Sequence, residues 1–184
     1  MSRSSTWKFA VVAIGLLAIG ADEPKETVSV KGIKFDIPKT WKTGKPATAM
    51  RVAQFKVDPA EGDTEPAELV LFAFKGGGGS VKDNLVRWQA QFQDKDGKPP
   101  EITTEVRKGK NAEVTFAAAS GRYVAAVTPG SSEKYDKLNW GLLGAIVQTP
   151  DTGFYFKLIG PEKTLKANKP AFDALIKSIA VGDE

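Results

Sequence analysis

Residues Ala67 to Phe74, "AELVLFAF", constrain the fold more than any other stretch. They are continuously apolar at their centre, whereas a strand with one wet face alternates apolar with polar. Such a run reads as a central strand covered on both faces, so the sheet needs a layer on each side. Four glycines follow, Gly76 to Gly79, and then Val81, Leu85, Trp88 and Phe92 recur at helical spacing. That single apolar stripe predicts a helix over 81–93. Ser80 stands at the N-cap position, and Asp83 three residues on completes a capping-box pattern at the positive end of the helix dipole. The turn-rich "DKDGKPP" at 94–100 stops the helix.

Elsewhere the pattern is mostly that of strands. Val28-Ser29-Val30 and Ile33 to Ile37 alternate on either side of Lys31-Gly32, predicting a hairpin ended by Pro38, with Trp41 on its exit. Residues 48–57 place Met50, Val52, Phe55 and Val57 on a strand, and the phase shift between Val52 and Phe55 reads as a bulge. An acidic loop at 58–66 precedes the central strand. Beyond the helix, strands are expected at about 102–108, 112–119 and 121–128, with turns at Asn111 and Ser120-Gly121. The loop 129–137 leads to strands at 138–149 and 154–160. Phe172, Leu175, Ile176 and Ile179 mark a C-terminal helix. Pro170 is best tolerated near that helix's start, so 161–168 are expected as a separate turn or a kinked first segment. The reading is one α+β domain over 28–180: a mostly antiparallel sheet of seven to nine strands, sandwiched by two main helices, after a short disordered lead at 21–27.

The N-terminus speaks to compartment. Arg3 and Lys8 precede an apolar run, Phe9 to Ile19, with Ala18 and Gly20 at the −3 and −1 positions of a cleavage site. This is the pattern of a secretory signal over 1–20. Eleven residues rise about 16 Å as a helix against a hydrocarbon core of about 30 Å, which disfavours the alternative of a retained anchor. The expected product is exported to the periplasm, cell surface or medium, free of the membrane after cleavage, and monomeric. Losing Arg3 and Lys8 takes the net charge from +4 to +2, too weak a field for a nucleic-acid binder. The basic cluster Arg107-Lys108-Gly109-Lys110-Asn111 fits a solvated hairpin turn.

The chain has no cysteine and no histidine. Disulfide staples, ordinary zinc or copper sites, and triads that use His or Cys are therefore excluded. No cofactor and no catalytic residue is assigned.

Three segments carry a resemblance. "GIKFDIPKTWK" near the start, a strand leading into "GGGGSVKDNLVRWQAQF", and the closing "GFYFKLIGPEKTLKANKPAFDALIKSI" resemble a group of short exported bacterial proteins of unassigned function. Through them the chain resembles the PsbP-like fold, an antiparallel sheet sandwiched by helices. That fold is named for an extrinsic photosystem subunit and is shared with a Ran-binding nuclear protein. The resemblance covers roughly 28–180 and rests on order and spacing, without a catalytic signature. It implies a protein-binding or assembly module. Metal sites of photosystem members lean on histidines that this sequence lacks, so none is carried over.

The candidate contacts follow from the residues themselves. The glycine loop is not a nucleotide loop, because Ser80 follows Gly79 with no lysine between and residue 81 is Val. A helix N-terminus still attracts anions in general, although Asp83 in the first turn opposes that. Gly77, Gly78 and Ser80 are the candidates there. Asn84, Arg87 and Gln91 form a polar stripe beside Trp88. The stripe either lines a groove or serves the fold, with Arg87 paired to Asp83 and Asn84 tying down the loop. Tyr135, in the 129–137 loop, offers an aromatic contact surface, whereas Trp140 is expected in the core. The acids Asp58, Glu61, Asp63, Glu65 and Glu68 supply oxygen ligands without EF-hand spacing and read as a solvated loop. Asp36, Glu105 and Glu113 fall on strands without visible pairing. The leading expectation is a non-enzymatic module recognising a protein or small ligand in the envelope. The alternative is a carboxylate-dependent hydrolase acting on envelope polymers.

Overall fold

The computed structural model describes residues 23–182. The signal segment at 1–20 and the first two residues of the lead lie outside the described residues. In chain order come β1 (Lys25–Val30), β2 (Ile33–Pro38), β3 (Lys42–Thr43), β4 (Arg51–Val57) and β5 (Ala67–Lys75), then helix α1 (Val81–Gln89). β6 (Phe92–Gln93), β7 (Thr103–Lys108), β8 (Glu113–Tyr123), β9 (Lys137–Gln148) and β10 (Thr152–Pro161) follow, and α2 (Glu162–Ser178) and β11 (Ala180–Val181) close the chain.

The main sheet has eight strands in the order β3-β4-β5-β10-β9-β8-β6, with β7 also paired to β8. Every pairing is antiparallel. The continuously apolar β5 lies between β4 and β10, inside the sheet as its sequence requires. Strand alternation sends Leu69, Leu71, Phe154, Phe156 and Leu158 to one face, where α2 and the β1–β2 hairpin cover them. Phe35, whose ring meets Phe156 edge-on at 5.0 Å, joins hairpin to sheet.

Several elements depart from the sequence reading. The hairpin stands apart from the main sheet, forming a small sheet with β11, and it begins at Lys25, so the lead loses its last three residues to β1. The irregularity in β4 falls between Arg51 and Ala53, at the near end of the expected phase shift. Helix α1 ends at Gln89. Phe92 instead pairs with Tyr123 in β6, their rings 5.2 Å apart, because the end of β8 offers open backbone donors and acceptors there. The strands expected at 112–119 and 121–128 are one strand, β8, to Tyr123. Gly121 is not a turn residue: a Cβ there would collide with the Gln93 backbone, so glycine admits the close approach of β6.

Helix α2 is continuous from Glu162, with Pro170 in its interior. Its first turn is capped from a distance, since Thr164 donates both its N–H (2.8 Å) and its hydroxyl (2.7 Å) to the Asp63 carboxylate. The indole N–H of buried Trp41 donates to Asn168 Oδ1 at 3.1 Å, and buried Phe172, Leu175 and Ile176 hold the second half. With both halves fixed, Pro170 is carried on the exposed side, where it leaves the Lys166 carbonyl without a helical donor. Pro170→Ala restores that bond, and an increase of about 1–2 kcal/mol in unfolding free energy is expected in chemical denaturation.

Candidate functional site

Alternation also sends Val70, Phe72, Phe74, Tyr155, Lys157, Ile159, Leu142 and Ile146 to the second face of the sheet. Helix α1 packs there, and its nine residues span only about 13 Å. It seats Trp88 directly on Gly144, where even a methyl group would overlap the indole ring. Beyond its C-terminal end the face is left open. The resulting groove, about 640 Å³, is walled by Arg87, Ala90 and Gln91 near the end of α1, by the 124–135 loop, and by Met50, Arg51, Pro66 and Glu68 on the far rim.

The loop wall is held at its base. Arg122 pairs with Asp136 through two contacts of 2.5 and 2.6 Å, and Lys137 reaches Glu65 at 2.8 Å. The amide of Tyr135 donates to the Ala125 carbonyl at 2.9 Å. Three rings stack along this wall: Tyr123 lies 5.4 Å from Tyr135 and 5.7 Å from Trp140. Trp140 is thus packed against the second core as expected, but it is only partly buried and also lines the groove. Burial, with Tyr135 beside it, pushes the Tyr123 phenol up to about 12, so that ring stays uncharged at neutral pH.

On the groove floor is Lys157, partly buried on β10. Its ammonium donates to Gln91 Oε1 at 2.9 Å and lies 5.7 Å from the centre of the Trp88 ring. Among the described residues no carboxylate pairs with it. Desolvation, reinforced by the Arg51 charge, lowers its pKa to about 8. Arg51 itself bonds Glu68 at 3.2 Å and Gln54 at 3.1 Å, with its guanidinium 5.9 Å from the Phe72 ring.

Of the residues singled out by sequence, Arg87, Gln91 and Tyr135 meet in this groove. Gly77, Gly78, Ser80 and Asn84 sit at the opposite end of α1 and do not line it. All four loop glycines, Gly76 to Gly79, have φ between 68° and 99°, a region that side chains disfavour. Their polar groups are largely engaged. Tyr155 donates its hydroxyl to the carbonyls of Gly77 and Gly79, and Gln148 donates to Gly79 at 3.1 Å. Asn84 donates to the Ser80 carbonyl at 2.9 Å. Ser80 caps Asp83 N–H at 3.0 Å and gives its own hydroxyl to that carboxylate at 2.7 Å. With Asp83 so occupied, Arg87 turns to Asn84 Oδ1 at 2.8 Å and toward the Gly78 carbonyl at 3.4 Å, and the expected Arg87–Asp83 pair does not form. Tyr155→Phe removes the hydroxyl that ties loop to sheet. About 1–2 kcal/mol of stability should go with it, with faster amide exchange confined to residues 76–80.

Sequence reasoning misses Lys157, Arg51 and Tyr123. The first has a signal: Lys157 is the lone charge inside "FYFKLIG", a strand otherwise apolar on both faces.

No protein-family model matches the sequence, and no curated protein matches it. Among solved structures, the chain is similar to cyanobacterial PsbP (CyanoP) from Synechocystis sp. PCC 6803, a solution structure. The TM-score is 0.52 at 16% identity, over 94% of this chain and 98% of that one. The chain has the PsbP-like fold.

Within this PsbP-like fold the acidic and basic clusters serve the framework. Asp58 pairs with Lys42 at 2.6 Å, Asp63 caps α2, and Glu65 and Glu68 hold Lys137 and Arg51. Asp94 Oδ1 accepts the amides of Lys98 and Asp96, which lowers its pKa. Arg107 lies 3.8 Å from the centre of the Phe116 ring and bonds Asp173 at 2.6 Å. Asn111 exchanges two hydrogen bonds with Val181, so the basic turn docks the C-terminal segment.

Proposed function

We propose that the protein is an exported, non-enzymatic binding or assembly module whose ligand or partner occupies the groove on the second face of the sheet. The observation that carries this reading is Lys157, a partly buried ammonium with no acid counterpart among the described residues, at the floor of an aromatic-walled groove. A cation held in that way costs stability, and interior lysines serving the fold alone are normally paired. The volume falls within the range of small-molecule sites, and the Tyr135–Tyr123–Trp140 stack supplies the kind of aromatic area that anchors ligands and partners alike. Export is supported by the N-terminal pattern of Arg3, Lys8 and the apolar run to Ile19.

The hydrolase reading needs two carboxyls facing one cleft. Among the described residues the groove's lining contains one, Glu68, already bonded to Arg51 and to Gln54. A second depression, beside the start of α2, carries Glu101 and Glu162, both on exposed positions.

The test is a paired capture from the cell envelope, with the protein and with a groove-filled Ala126→Trp variant as baits. Molecules retained by the first and lost from the second are expected. Identical retention by both, or turnover of an envelope polymer by the protein, would overturn the reading.

A further inference from the structure

The charge of the groove points to one kind of occupant. Among the described residues, Arg51, Arg87, Lys134 and Lys157 line it against the single carboxylate of Glu68. Glu68 is held by Gln54 at 2.6 Å and Arg51 at 3.2 Å, whereas Lys157 meets only a neutral amide and a ring. Arg87 and Lys134 have no acid partner either among the described residues, but both are exposed to solvent, so the partly buried cation left without a counter-charge is Lys157. The apolar part of the lining is Val70, Phe72 and Ile159 together with the stacked rings of Tyr123 and Trp140.

We propose that the groove binds a small amphipathic carboxylate, its carboxylate paired with Lys157 and its flat apolar body lying against the aromatic wall. A monoanion fits better than a phosphate dianion, because the nearby Glu68 repels added negative charge and one ammonium lacks the forked donors that phosphates select. The proposal rests on the binding reading above and adds the chemical class of the ligand.

A bound carboxylate stabilises the ammonium form, so binding is tightest below about pH 8 and weakens as Lys157 neutralises above it. The charged and titratable groups around Lys157 are Arg51 from β4, Glu68 from β5, Arg87 from α1, Tyr123 from β8, and Lys134 and Tyr135 from the loop. Lys157→Arg separates its titration from theirs, because a guanidinium keeps its charge throughout.

The test is calorimetric titration of the protein with 2-naphthoate and with 2-naphthamide, its neutral counterpart of the same shape. At pH 7 the carboxylate is expected to bind about tenfold tighter or better. Lys157→Met should equalise the two probes. Lys157→Arg should keep the preference and remove the weakening between pH 7 and about 9.5. Thermal melts of both variants establish that they fold. Equal affinity of the two probes for the protein would overturn the carboxylate inference and leave the groove as a binding site. A preference that survives in Lys157→Met would overturn the assignment to Lys157. Binding of neither probe would overturn the ligand class, with the binding reading then decided by the paired capture.

Discussion

Replacing Gly144 by valine is expected to destabilise the protein by about 3 kcal/mol, combining overpacking with lost aromatic burial. Gly144 is the seat of Trp88, and the space a side chain would need already holds the indole. The indole cannot simply tilt, because it packs in the second core with Phe92, Leu142, Ile146 and Tyr155. Valine there would lift α1 from the sheet, and with it Arg87, Ala90 and Gln91, which close one side of the groove. For a chain of this size the melting temperature should fall by roughly 6–12 °C. The neighbouring substitution Ala145→Gly, on the opposite face, leaves the Trp88 seat intact, so groove binding measured beside the melt separates the two effects. A Gly144→Val variant as stable as the parent would mean that α1 is not docked through Trp88.

Lys157→Met should act in the opposite direction and stabilise the protein. The folded-state pKa of Lys157 is lowered from 10.5 to about 8. Between those values the unfolded chain binds more protons than the folded one, so stability rises with pH across that window and the full cost is present below it. Each tenfold loss of proton affinity on folding corresponds to about 1.4 kcal/mol, and with a discount for partial exposure the cost at pH 7 is about 2 kcal/mol. Tyr123 works against this at higher pH. Its pKa is raised from 10.0 to about 12, so its contribution is present below 10 and is lost as pH climbs toward the folded value. Together these two groups place a stability maximum near pH 10. Lys157→Met is expected to gain about 2 kcal/mol at pH 7 and to remove the rise between pH 8 and 10.5, because a partly buried charge with no acid partner among the described residues gives way to a side chain of similar volume. Urea unfolding at pH 7, 8.5 and 10 checks both statements. A Lys157→Met variant that is destabilised at pH 7 would mean that the ammonium is satisfied within the fold.

The framework is legible in the sequence because its signals are local. The unbroken apolar run of β5 requires two covering layers, and the structure has them. Ser80 and Asp83 sit together in sequence, and their cap forms as read. What misleads are features whose meaning depends on distant neighbours. Gly121 looks like a turn because glycine often is one, but its reason is the Gln93 backbone pressed against it. Pro170 looks like a helix start, yet Asp63, about a hundred residues earlier in the chain, caps the true first turn at Thr164. The groove is half legible for the same reason. Arg87 and Gln91 announce themselves as a stripe on one helix, while Lys157, Arg51 and Tyr123 come from three strands that only the sheet order brings together. The glycine loop, the most conspicuous stretch in the sequence, is a junction held by Tyr155 and Gln148.

The proposed reading organises the groove around Lys157, a cation with no acid partner among the described residues, and it is tested most directly by NMR titration of that side chain. The Cε resonance is followed with pH and assigned by its loss in Lys157→Met. A midpoint near 8 is predicted for the free protein, moving upward in the presence of 2-naphthoate. A midpoint at the ordinary lysine value of 10.5, unmoved by the ligand, would mean that Lys157 is solvated like any surface lysine and that the groove is not organised around its charge.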